Sequence, residues 1–114
     1  MKNYIEVRYR FEGVHCWPDA PLAVNFLRQP HRHEFHVRAR LAVTHDDREL
    51  EFILVKQHIK FFVLSRYPMD LGSRSCEQMA AEIIKCLADE YGANRYIEVE
   101  VSEDGENGAV VVNE

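Results

Sequence analysis

Two stretches of the chain alternate strictly between apolar and polar residues, and each predicts a half-buried β-strand. In the first, Ile5, Val7, Tyr9 and Phe11 alternate with Glu6, Arg8 and Arg10. In the second, Phe35, Val37, Ala39, Leu41 and Val43 alternate with Glu34, His36, Arg38 and Arg40. The strands are expected over about residues 3 to 12 and 33 to 44. Between them, residues 16 to 30 carry Pro18, Pro21 and Pro30, lack sustained alternation and read as a loop. His45-Asp46-Asp47 makes a turn, and from Glu49 the period changes. Phe52, Val55, Ile59, Phe62 and Val63 recur at helical spacing, with Lys56, Gln57 and Lys60 on the other side, and Pro68 ends this helix. Ser75 followed by Gln78 forms a capping-box pattern for a second helix. Its stripe runs Met79, Ile83, Ile84, Leu87, Tyr91, and Gly92 stops it. Ile97, Val99 and Val101 then alternate with Glu98, Glu100 and Ser102. The run Asp104 to Gly108 reads as a hairpin turn and Ala109 to Val112 as the returning strand. The order ββααββ predicts an α+β fold, a four-stranded antiparallel sheet with two helices on one face.

Parity gives the strands chemical content. Side chains two residues apart share a face, so His31 and His33 stand side by side on the odd-numbered, apolar face. His15, past the expected end of the first strand, has the same parity. Three histidines converging from two neighbouring strands suit a catalytic zinc ion, which keeps one position open. A bare H-x-H at a strand mouth would read as solvated surface; the third histidine in register favours metal. Glu103 also has odd parity, and a carboxylate aimed at a core is costly unless paired. It either curls into solvent at the turn or meets a ligand presenting adjacent N–H donors, as a guanidine-like ring edge does. His36 has even parity and faces away, and His45 lies in a turn. His58, on the polar side of the first helix, is the one spare candidate for a general base. Cys16, beside His15, is the spare thiol near the metal, although a small buried residue is the plainer reading.

Length and composition narrow the classes. A chain of 114 residues is expected to form one domain over 1–114, large enough for a single core. A net charge of −5 lacks the basic footprint of nucleic-acid binding. No apolar run is long enough to span a bilayer, and Met1-Lys2-Asn3-Tyr4 runs directly into a strand without a signal peptide. The three cysteines are odd in number, show no C-x-x-C spacing, and place Cys76 and Cys86 on one helix. A reducing cytoplasm is expected.

In this order the motifs resemble those of the 6-pyruvoyl-tetrahydropterin synthase and 6-carboxy-tetrahydropterin synthase family. The family's zinc histidines, one after the first strand and an H-G-H opening the second, match His15, His31 and His33, with Arg32 in place of the glycine. Its D-F-x-x-L-K resembles Glu51-Phe52-Ile53-Leu54-Val55-Lys56. Its P-T-x-E-N-[IL]-A resembles Ser73-Arg74-Ser75-Cys76-Glu77-Gln78-Met79-Ala80. Its V-x-E-T resembles Val101-Ser102-Glu103-Asp104. The resemblance implies the tunnelling (T) fold, a Zn2+ site on the three histidines and Glu103 as the anchor of a pterin or related purine-like ligand. It also implies carbon–oxygen lyase chemistry, elimination of triphosphate from dihydroneopterin triphosphate, and a homo-oligomer, commonly a hexamer. The catalytic motif departs from the pattern. Residues 24 to 30 read Val24-Asn25-Phe26-Leu27-Arg28-Gln29-Pro30, without the family's cysteine or glutamate. Leu64-Ser65-Arg66-Tyr67-Pro68-Met69-Asp70 lacks the histidine of the family's L-D-H. Arg32 either engages a phosphate or faces solvent at the sheet edge. Altered or weakened synthase chemistry is therefore expected, with a non-catalytic ligand-binding or assembly protein as the alternative.

Overall fold

The structure is a computed structural model, described here for residues 1–113. Its elements are β1 (Asn3–His15), a 3-10 helix (Leu22–Arg28), β2 (His31–Val43), α1 (Phe52–Arg66), α2 (Cys76–Tyr91), β3 (Ile97–Glu103) and β4 (Asn107–Val112). The strands form one sheet in the order β1-β2-β3-β4, with each neighbouring pair antiparallel. The ββααββ arrangement and its class follow the hydrophobic pattern.

Burial follows parity. Phe35, Val37, Ala39, Leu41, Ile97, Val99 and Val101 line the helix-bearing face of the sheet. Val55, Ile59 and Val63 of α1 and Met79, Ala80, Ile83, Ile84 and Leu87 of α2 close over them. Even-numbered positions face the other way and pair their charges: Arg40 Nε donates to Glu6 at 2.7 Å, and Arg38 lies 3.4–3.6 Å from Glu6, Glu98 and Glu100. α2 starts with the expected capping box. Ser75 Oγ accepts from the Gln78 amide at 3.1 Å, and Gln78 Oε1 accepts from the Ser75 amide at 2.9 Å. Gly92, at φ +116°, ends it. No described helix is long and apolar enough to cross a membrane.

Four boundaries differ from expectation, each for a tertiary reason. β1 continues to His15 because its end is held on both sides. His15 pairs with His31 of β2, while Val14 accepts from the Leu71 amide (2.7 Å) and donates to Met69 (2.8 Å) on its other edge. β2 accordingly begins at His31, two residues early. Gly13 permits this arrangement, because a Cβ there would strike Leu71, which is buried over the strand. The loop expected between the strands contains the 3-10 helix, which buries none of its residues and therefore leaves no apolar period. β4 starts at Asn107 because Gly108 packs directly against the Val101–Ser102 backbone, where any Cβ would collide. The turn shortens to three residues, with Asp104 at φ +58° and Gly105 at φ +74°.

Candidate metal centre and pocket

The register of β1 and β2 sets His15 opposite His31 and His33 opposite Gly13, so the three imidazoles crowd the helix-bearing face at one end of the sheet. Their ring centroids are 4.6, 5.5 and 5.1 Å apart for the pairs His15–His31, His15–His33 and His31–His33. Glu103 ends β3 opposite Phe35. It does not curl into solvent: its Oε2 lies 3.0 Å from His15 Nε2 and 3.6 Å from His33 Nε2. One ligand atom from each of the four residues falls within 4.8 Å of all the others.

The hydrogen bonds around the rings settle their tautomers. Nδ1 of His15 is 2.9 Å from the Arg74 carbonyl, and Nδ1 of His31 is 2.8 Å from the Gln29 carbonyl. Nδ1 of His33 is 2.7 Å from Asp104 Oδ2. Carbonyls and carboxylates only accept, so each Nδ1 carries a hydrogen, and each ring in its neutral form presents its lone pair at Nε2. His15 is buried, and its Nε2 has no hydrogen-bond partner among the described residues. Glu103 Oε2 approaches that nitrogen at 3.0 Å outside hydrogen-bond geometry, and against the neutral ring it brings a second electron-rich atom to the lone pair. A buried acceptor facing a carboxylate is unfavourable, and either a proton on Nε2 or a metal cation held there relieves it. Three imidazole nitrogens are a donor set that zinc accepts with a fourth position left open, and oxygens bound to the far nitrogens are the usual outer support of ligating histidines. The residues fit a divalent metal.

Beside the cluster opens a cavity of about 510 Å³, lined by His15, His31, Glu103, Cys16, Trp17, Arg74 and the first turn of α2 from Ser75 to Gln78. Cys16 thus stands where the sequence places it, next to the histidines. Cys76 also lines the cavity, but burial, reinforced by Glu103 and Glu77, pushes its thiol up to about 12 and keeps it neutral. Arg74 stacks over Tyr67 with its guanidinium carbon 5.2 Å from the ring centroid, and it lies 3.4 Å from Glu82.

Three further residues weighed in the sequence lie elsewhere. His58 meets Tyr91, the last residue of α2, edge to face with centroids 5.8 Å apart. The cavity is at the first turn of that helix, about 24 Å away for 16 residues, so His58 of the same chain does not serve it as a base. Arg32 faces the opposite side and donates to Glu12 at 2.7 Å, which takes it out of the cavity. His36, as parity requires, is on that side too, 3.0 Å from Glu34. Sequence reasoning assigned no role to Asp104, nor to the Arg74 and Gln29 carbonyls. A backbone carbonyl carries no residue signature. Asp104 did carry one, an acidic residue at the turn directly after Glu103.

No family model and no curated protein sequence matches the chain. Solved structures do. The structure of 6-pyruvoyl tetrahydropterin synthase from Caenorhabditis elegans superposes with a TM-score of 0.71 at 13% identity, over 97% of this chain and 95% of that one. An uncharacterized protein from Wolinella succinogenes gives a TM-score of 0.74 at 16% identity, over 100% of this chain and 99% of the other. At such identities the likeness establishes the fold. The chain has the T-fold of 6-pyruvoyl tetrahydropterin synthase, in agreement with the resemblance of its motifs.

Proposed function

We propose that this chain is a zinc-binding protein that handles a pterin or related purine-like ligand, with synthase-type chemistry weakened or lost. The observation that carries the reading is the buried, unpartnered Nε2 of His15. It faces Glu103 inside a triad of histidines whose other nitrogens are all tied off. His15, His31 and His33 would hold Zn2+ through Nε2. Bound there, zinc would supply Lewis acidity toward hydroxyl groups on a ligand side chain. Glu103, which lines the cavity, accepts from the adjacent N–H donors of an aminopyrimidinone edge. Trp17 and the start of α2 wall the cavity and exclude water from one side of the ligand. Within one chain, residues 24 to 30 offer no thiol, carboxylate or imidazole, and residues 64 to 70 offer no imidazole, their one carboxylate, Asp70, accepting from the Gly72 amide at 2.9 Å. The three free thiols, Cys16, Cys76 and Cys86, accord with a reducing cytoplasm.

Calorimetric titration of the zinc-loaded protein with a dihydropterin tests the reading. Hydrogen bonds to a charged acceptor are worth about 1.5–3 kcal/mol, so Glu103→Ala should weaken binding by about 10- to 100-fold. No binding by the wild type, or equal binding by the variant, would overturn it; the first result would favour an assembly role for the fold.

Assembly belongs to the same proposal. β4 and most of β1 leave edges that another chain can pair, and unprotected edges are hazardous in a monomer. The outer side of α1 is also apolar, with Ile53, Leu54, Phe61 and Leu64 exposed. Sedimentation at micromolar concentration should show a species well above 13.4 kDa. A monomer across the accessible range would refute self-association.

A further inference from the structure

Asp104 is tied to β2 by three hydrogen bonds. Its amide donates to the Glu34 carbonyl at 2.7 Å, its Oδ1 accepts from the Glu34 amide at 2.9 Å, and its Oδ2 accepts from His33 Nδ1 at 2.7 Å. It does this from a backbone at φ +58°, a conformation that few L residues other than Asn and Asp adopt readily. Two donors, one from backbone and one from imidazole, converge on this side chain, and a carboxylate accepts both at once. An amide of the same shape accepts one and must present its NH2 to the other.

From this geometry we propose that Asp104 is the positioning residue of the metal centre: it fixes His33 as the Nδ1–H tautomer and aims the His33 Nε2 lone pair at the point shared with His15, His31 and Glu103. The inference rests on the zinc reading above. The motif that Val101-Ser102-Glu103-Asp104 resembles has threonine at this position, so the carboxylate is a feature of this chain. A hydroxyl reaches less far than a carboxylate and has no second oxygen for the Glu34 amide.

The substitution Asp104→Asn separates this role from a structural one. Asparagine keeps the size and tolerates the positive φ, so the turn should form. Its oxygen satisfies the Glu34 amide, and its NH2 then meets His33 Nδ1 as a donor. That favours the Nε2–H tautomer, which places a hydrogen where the metal lone pair is needed. Imidazole ¹⁵N shifts of the metal-free proteins at pH 8 should report Nδ1–H for His33 in the wild type and Nε2–H in the variant. Zinc affinity, measured by chelator competition, should fall by about 10- to 100-fold, the usual effect of losing such a partner. An Nδ1–H tautomer retained in the variant with zinc affinity unchanged would overturn the proposal. If the variant does not fold, the wild type still decides: an Nε2–H tautomer at His33 overturns it, and Nδ1–H together with a loss of zinc affinity in Asp104→Gly, which relaxes the same φ, supports it. A wild type that binds no zinc but shows Nδ1–H refutes the metal reading while leaving the positioning of His33 intact.

Discussion

Protein carrying His31→Ala and His33→Ala together should retain no stoichiometric zinc when purified without a histidine tag. The two substitutions remove two of the three imidazoles that would hold the ion and leave His15 as the single remaining nitrogen donor of the cluster. A zinc site reduced to one imidazole does not survive purification, because the coordination energy that offsets dehydration of the ion comes from the full set. The consequence reaches stability. A metal that binds only the folded state stabilises it by about 4 kcal/mol at a thousandfold excess over its dissociation constant. Added zinc should therefore raise the melting temperature of the wild type and leave that of the double variant unmoved. His36→Ala is the control, since its ring lies on the opposite face beside Glu34 and the metal content should not change. Elemental analysis reads the outcome directly. Full zinc occupancy in the double variant would end the assignment of this site.

Turnover is the second place where a large effect is expected. Given dihydroneopterin triphosphate, the wild type should show weak or no 6-pyruvoyl or 6-carboxy synthase activity even where it binds a dihydropterin well. Positioned acids and bases contribute about 10²- to 10⁴-fold to such proton transfers. Within the chain the groups near the cavity are poor substitutes. Cys76 is held neutral by burial, His58 sits at the far end of α2, and Arg74 is occupied by Tyr67 and Glu82. Cys16 is the thiol that remains beside the histidines. Robust turnover that disappears on Cys16→Ser would show that this thiol has taken over proton transfer. Turnover lost on His58→Ala would mean that a neighbouring subunit completes the site. Either result overturns the expectation of a weakened catalyst.

Much of the site was legible because β-strands convert residue number into direction. His15, His31, His33 and Glu103 are all odd-numbered, and the apolar residues between them mark the odd face as the covered one, so parity puts all four on one face and leaves their meeting point to the register. His36 and Arg32 were assigned by the same rule or left open by it, and both turn to the even face. Helical periodicity located His58 on a helix surface but says nothing of distance along a neighbouring helix, and that distance removed it from the cavity. The ends of β1 and β2 were misplaced because the pairing that extends them comes from Met69–Leu71, far along the chain and without any local signal.

Alternation, helical period, capping residues and the glycine stop are local properties, and the sequence by itself determined through them the number, type, order and inward faces of the main elements. Register is different. A strand knows which of its faces is apolar, but the residue it stands opposite depends on the turn and on what packs above. Only the tertiary structure decided that His15 meets His31, that Gly13 makes room for Leu71, and that Glu103 closes on His15 at 3.0 Å. It alone decided the tautomers as well. A neutral histidine has two alternative nitrogens for its hydrogen, and the choice falls to whichever acceptor the fold brings to Nδ1: the carbonyls of Arg74 and Gln29, and the carboxylate of Asp104.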